Sequence, residues 1–96
     1  MSEYEIYPRQ ERNATRENVI IFPAHKDSKK KIEVYSADGL YMFSIGDKRY
    51  KDYSMYLKEN GKEYADNRRR LYKIRHQKTR HKKGTPSWFS DRILWN

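Results

Sequence analysis

Apolar positions along this chain come in short clusters separated by long polar stretches. Asn18 to Phe22 is rich in β-branched residues and is stopped by Pro23, the pattern of a short strand. Residues 24–31 are a polar loop ending in Lys29-Lys30-Lys31. Ile32, Val34 and Tyr35 begin a second strand. Asp38-Gly39 predicts a tight turn, because glycine tolerates the positive φ such turns need. Leu40 to Ile45 is the returning strand, with Tyr41, Phe43 and Ile45 on one face by the period of two. Gly46-Asp47 closes this hairpin.

Beyond it the period changes. Tyr50 to Leu57 predicts a short helix with Tyr53, Tyr56 and Leu57 at helical spacing, ended by Asn60-Gly61. A second helix runs from Lys62 to about Arg80. Glu63 and Asp66 lie near its start and cations fill its later turns, an order that complements the helix dipole. Tyr64, Ala65, Leu71 and Tyr72 give it one narrow apolar stripe, leaving most of its circumference to arginine and lysine. Gly84-Thr85-Pro86 breaks it. Thr85 is placed to cap a last turn or two of helix through Trp95, with Pro86 at the first helical position. The fold class expected is α+β: a small antiparallel hairpin or three-stranded sheet, then two helices and a short C-terminal aromatic helix. Residues 1–17 lack periodicity and read as a flexible N-terminal arm, with Pro8 ending the stretch that holds Tyr4, Ile6 and Tyr7. Residues 18–96 read as a single small domain carrying a basic helix over 62–80.

Composition narrows the picture. Only 35% of the 96 residues are hydrophobic, and nine of them are tyrosine. Ordering a residue costs roughly 1–2 kcal/mol, so the core is thin for what it must offset. There is no cysteine, hence neither a disulfide framework nor a thiolate metal site. The longest apolar run, Val19 to Phe22, is far too short to span a bilayer, and the N-terminal residues lack the basic and apolar regions of a secretory signal. The expectation is a soluble intracellular protein.

Charge changes the picture most. The net charge is +9, and nine of the 22 basic residues fall between Arg68 and Lys83: Arg68, Arg69, Arg70, Lys73, Arg75, Lys78, Arg80, Lys82 and Lys83. No acid interrupts them, and the other 13 cations balance the 13 acids. An isolated block of one sign steers a protein toward polyanions with salt-sensitive binding. His76 and His81 sit inside this block. Their spacing of five, with no carboxylate or thiol nearby, does not suit a metal, and Asp47 and Asp52 flank positions where capping is the ordinary role. The expectation is therefore no metal, no cofactor and no catalysis. The tyrosines offer two readings: Tyr41, Tyr53, Tyr64 and Tyr72 as a half-wet core, or rings interleaved with cations for stacking bases. Trp88, Phe89, Ile93, Leu94 and Trp95 form the densest apolar segment, which either completes the core or anchors a partner.

Phe43-Ser44-Ile45-Gly46, Tyr50-Lys51-Asp52-Tyr53, Arg69-Arg70-Leu71-Tyr72 with Arg75-His76, and Ile93-Leu94-Trp95 occur in that order. In this the chain resembles a family of short basic proteins of unknown function from giant, nucleocytoplasmic large DNA viruses. Its members share a hairpin ending in Phe-Gly, a Tyr-x-Asp-aromatic step, an Arg-rich helix with a late Arg-His, and a terminal Leu-Trp. The likeness spans about residues 31–96. Ser44-Ile45 separates the Phe from the Gly, and Leu71 stands where a basic residue is usual. The resemblance implies a viral origin, with residence in the host nucleus or cytoplasm or in the virion, and brings no activity.

The reading that follows is a non-catalytic accessory protein binding DNA or RNA without sequence preference. The nine cations, with His76, would contact phosphates. About seven neutralised phosphates give a log–log salt slope near −6 on B-DNA. The alternative is a small structural virion or capsid-associated protein. It would meet an acidic viral protein through the basic helix, with Trp88, Phe89 and Trp95 as anchors. The sequence leaves the oligomeric state open.

Overall fold

The computed structural model describes residues 3–96 and is an α+β fold. It divides into two compact units, one ending at Tyr50 and the other running from Lys51 to Asn96. This division differs from the expected arm and single domain.

In the first unit, strands β1 (Val19–Pro23), β2 (Ile32–Ser36) and β3 (Tyr41–Ile45) form an antiparallel sheet in the order β1-β2-β3. The expected turn is in place. Gly39 has φ +86°, its N–H donates to the Ser36 carbonyl at 2.9 Å, and the Ser36 N–H donates to Leu40 O at 2.8 Å. Ile21, Ile32, Val34 and Ile45 are buried on the inner face. The pairing slips between Val34 and Tyr35: Val34 faces Phe43, whereas Tyr35 faces Tyr41, so Met42 is an extra residue in β3. This bulge corrects the expected face. Tyr41 leaves the side of Phe43 and Ile45, joins Tyr35 on the outer face and is 57% exposed.

The expected flexible arm is also corrected. Residues 1 and 2 lie outside the described residues, but helix α1 spans Pro8–Arg16 and lies against β1. Pro8 opens the helix instead of ending a segment, since its missing N–H costs nothing in the first turn. Gln10, Asn13 and Ala14 are buried at helical spacing. The Gln10 amide accepts the Tyr7 N–H at 3.0 Å and donates to the Tyr4 hydroxyl at 2.7 Å. The stripe is amphipathic, but amides carry it in place of aliphatic groups, so hydropathy hides it. Asn18, at φ +59°, turns the chain from α1 into β1.

In the second unit, helix α2 (Tyr53–Asn60) begins three residues later than expected. Asp52 caps it, its carboxylate accepting the Met55 N–H at 3.1 Å. Gly61, at φ +87°, joins α2 to α3 (Lys62–Arg75). The basic helix expected over 62–80 thus ends at Arg75, and turns occupy the stretch from there to α4 (Pro86–Phe89). No large apolar side chain lies between Ile74 and Trp88, so no packing sustains the helix further. Thr85 caps α4 as expected, its Oγ1 accepting the Trp88 N–H at 3.2 Å. A π-helical turn over Ser90–Leu94 completes the chain's secondary structure. Among the described residues no helix is long and apolar enough to cross a membrane.

Candidate nucleic-acid interface

The core of the second unit determines which cations remain outside. Tyr53, Ala65, Tyr72, Phe89, Ile93, Leu94 and Trp95 are buried. The Trp95 indole lies on the Tyr72 ring, 4.4 Å between centroids and 9° from parallel, and His76 stacks on Tyr72 at 4.2 Å. Phe89 and Trp95, expected as possible anchors, are therefore core residues, while Trp88 is half-buried with the Arg92 guanidinium 4.1 Å above its ring. Of the four tyrosines expected in the core, Tyr53 and Tyr72 are there. Tyr64 is exposed, as is Tyr41 in the first unit. On α3 the buried stripe is Ala65 and Tyr72, one position round from Tyr64 and Leu71.

That rotation brings two arginines inward. Arg68 and Arg69 flank the buried stripe, and their guanidinium groups lie 5.4 Å from the Tyr56 centroid and 4.2 Å from the Tyr53 centroid. Arg69 also pairs with Asp66 at 3.2 Å. Asp66 accepts further hydrogen bonds from Lys62 and the Tyr53 hydroxyl, and these donors hold its carboxyl below the usual range. Burial, and then the hydrogen bond to Asp66, push the Tyr53 phenol up.

A second carboxylate claims two more cations. Asp91, on the π-helical turn, has a side chain only 5% exposed. Lys73 Nζ lies 3.0 Å from its Oδ1 and Arg80 Nη1 3.8 Å away. Arg80 is fixed further by Nε donating to Lys73 O at 3.3 Å and Nη2 donating to Gln77 Oε1 at 3.1 Å. The Tyr72 phenol is pushed up to about 12, first by burial and then by the Asp91 charge. His76 is pushed down, first by burial and then by Arg75, so it is neutral at pH 7 and adds no charge to the block.

The nine cations thus fall into two classes. Lys73 and Arg80 neutralise Asp91, Arg69 meets Asp66, and Arg68 covers a tyrosine. Arg70, Arg75, Lys78, Lys82 and Lys83 are exposed, and among the described residues none of the five is ion-paired with a carboxylate; Arg70 donates to the Asn67 amide at 2.9 Å. His81 is exposed beside them. The expectation that the whole block faces outward is corrected: five of nine do so. The signal that marks two of the other four, Lys73 and Arg80, is Asp91, 18 residues beyond Lys73, which becomes legible once the tail folds back. Arg68 and Arg69 are held by Tyr56, Tyr53 and Asp66.

The expected capping role holds for Asp52 but not for Asp47, which caps no helix and is engaged by Arg49. Asp52 caps α2, and Asp47 accepts the Arg49 N–H at 2.9 Å and pairs with its guanidinium at 2.8 Å. No group of three or more His, Asp or Glu among the described residues is arranged to hold a metal ion. Comparison with protein-family models, curated proteins and solved structures gives no match.

Proposed function

We propose that this chain is a non-catalytic nucleic-acid-binding accessory protein of a large DNA virus that grips phosphates without reading sequence. The viral setting rests on the resemblance of the segments between Phe43 and Trp95 alone. The binding reading rests on one observation: Arg70, Arg75, Lys78, Lys82 and Lys83 are exposed in a stretch without acids, and no carboxylate among the described residues pairs with them. Neighbouring charges along so short a stretch lie within about one Debye length, roughly 8–10 Å, and act together on an anion. Long flexible side chains suit phosphates, which fix position but carry no sequence information. Burial of Phe89 and Trp95 favours the basic segment over an aromatic anchor as the candidate surface of the second unit, with Trp88 half-buried.

Five phosphate contacts lower the salt dependence expected from the sequence. The log–log slope on B-DNA becomes about −4.5 instead of about −6. Fluorescence titration of a labelled duplex at several salt concentrations measures it. A slope near zero, or no binding at low salt, refutes the proposal.

A further inference from the structure

The outer face of the sheet in the first unit carries aromatic rings that packing does not require. Phe22 is 52% exposed and Tyr41 57%, with Tyr35 between them. The Tyr35 ring meets Phe22 at 5.4 Å and 88° and Tyr41 at 5.6 Å and 73°, so one ring from each strand forms an edge-to-face row. Hydrogen bonds hold two of the three in place. The Tyr35 hydroxyl donates to Glu33 at 3.0 Å, and the Tyr41 hydroxyl pairs with Ser44 Oγ at 2.9 Å. Ile20 extends the row as another exposed apolar group.

One end of this face is basic. Pro23, Ile32 and Ile45 are register partners, so residues 24–31 and 46–49 leave the sheet at the same end. The Lys48 ammonium donates to the carbonyls of His25 and Lys26 at 3.2 and 3.1 Å, and its N–H donates to Lys29 O at 2.9 Å, which laces the two loops together. Asp47 is neutralised by Arg49, and Asp27 faces His25 at 3.7 Å. Lys26, Lys29 and Lys30 are exposed, and no ion pair among the described residues includes them.

We propose that this face binds single-stranded nucleic acid, with bases stacking on Phe22 and Tyr41 and the adjoining phosphates held by Lys26, Lys29 and Lys30. Stacked aromatics bordered by cations are the general solution for unpaired strands, because every base has a π-face and every phosphate a charge. Phe22 stands in the second register row from the lysine end and Tyr41 in a row farther from it, so a strand entering at the loop crosses both rings. The Glu33 carboxylate, in the row of Phe22, repels phosphate from the middle of the face and favours a backbone path along the lysine border. A second copy of the chain is the weaker occupant, since it brings no excess of carboxylates to offset Lys26, Lys29 and Lys30: outside residues 68–83 its charges balance, and that block is positive. The site lies in the other unit from the basic segment and uses none of its residues.

The test uses the full chain and two labelled twelve-nucleotide single strands, oligo(dT) and oligo(U), beside the duplex used above. Fluorescence anisotropy should give binding to at least one of the two, the two arms showing whether DNA or RNA is preferred. Phe22→Leu with Tyr41→Leu keeps apolar area but removes both π-faces, and should weaken single-strand binding by about tenfold per ring while leaving duplex affinity within about twofold. Phe22→Tyr with Tyr41→Phe should restore it. Lys26→Gln, Lys29→Gln and Lys30→Gln together should reduce the single-strand salt slope by about 2. Unchanged affinity in the leucine variant, with the wild-type circular dichroism spectrum retained, overturns the proposal. So does a wild-type dimer in sedimentation that this variant abolishes, because a second copy would then occupy the face. Loss of duplex binding alone would instead sink the basic-segment reading and leave this one standing.

Discussion

The two units treat the same residue types in opposite ways. In the first, Phe22 and Tyr41 stand in water while aliphatic Ile21, Ile32, Val34 and Ile45 fill the core. In the second, aromatics are the core, with Tyr53, Tyr72, Phe89 and Trp95 buried, and cations line it: Arg69 on Tyr53, Lys73 and Arg80 on Asp91. An exposed aromatic and a half-buried, engaged cation each depart from the usual distribution. The half-buried cations of the second unit are explained inside the molecule, by rings and carboxylates. The exposed rings are not, and this asymmetry is the reason for seeking their partner outside.

Substitutions in each unit test the contrast. The largest effect is expected at Asp91. Asp91→Ala leaves the half-buried Lys73 and Arg80 without their buried carboxylate and should cost about 3–4 kcal/mol, read from urea unfolding of the full chain. Tryptophan fluorescence reports the second unit, since both tryptophans lie in it. A loss under 1 kcal/mol would show that the buried pair contributes little and that both cations are available to ligands. Next, Trp95→Ala should cost about 3 kcal/mol through the cavity left on Tyr72, followed by the remaining Trp88. Phe22→Ala should cost about 1–2 kcal/mol by circular dichroism, less than the buried tryptophan, because about half of the residue's area stays in water on folding. Equal losses would erase the distinction between inner and outer aromatics.

Neutralising Arg70, Arg75, Lys78, Lys82 and Lys83 to glutamine should leave stability within about 0.5 kcal/mol, as for surface changes generally. It should bring the duplex salt slope near zero. Arg69→Ala should do the reverse, lowering stability with little change in slope. The smallest effect concerns His76. Its folded value lies below the unfolded 6.5, so the unfolded chain takes up the proton first as the pH falls. Its contribution is present above about 6.5 and is lost as the pH falls toward the folded value. Melting temperature should therefore decline between pH 7.5 and 5 by more in the wild type than in His76→Gln. Equal declines would show that His76 is not held neutral by its stack.

What could be read in advance was local. Asp38-Gly39, Asn60-Gly61 and Thr85-Pro86 each state a backbone preference within two residues, and the structure has a turn, a helix end and a helix start at those places. Strand periodicity held wherever pairing was regular and failed at one inserted residue, Met42, which moved Tyr41 across the sheet. The α1 stripe was missed because Gln10, Asn13 and Ala14 carry helical spacing without hydrophobicity. The candidate interface was half legible. The charge block was plain, but the division into five exposed cations without a carboxylate partner and four engaged ones was not.

Residue identities alone imply the α+β class, the places where the chain turns, and the concentration of positive charge between Arg68 and Lys83. These follow from φ preferences, side-chain period and formal charge, which residues carry wherever they sit. Which way each charge and ring faces emerges only in the folded chain. That depends on contacts between distant positions, such as Asp91 meeting Lys73 or Tyr72 meeting Trp95, which exist only after the tail has folded onto the helices of its unit.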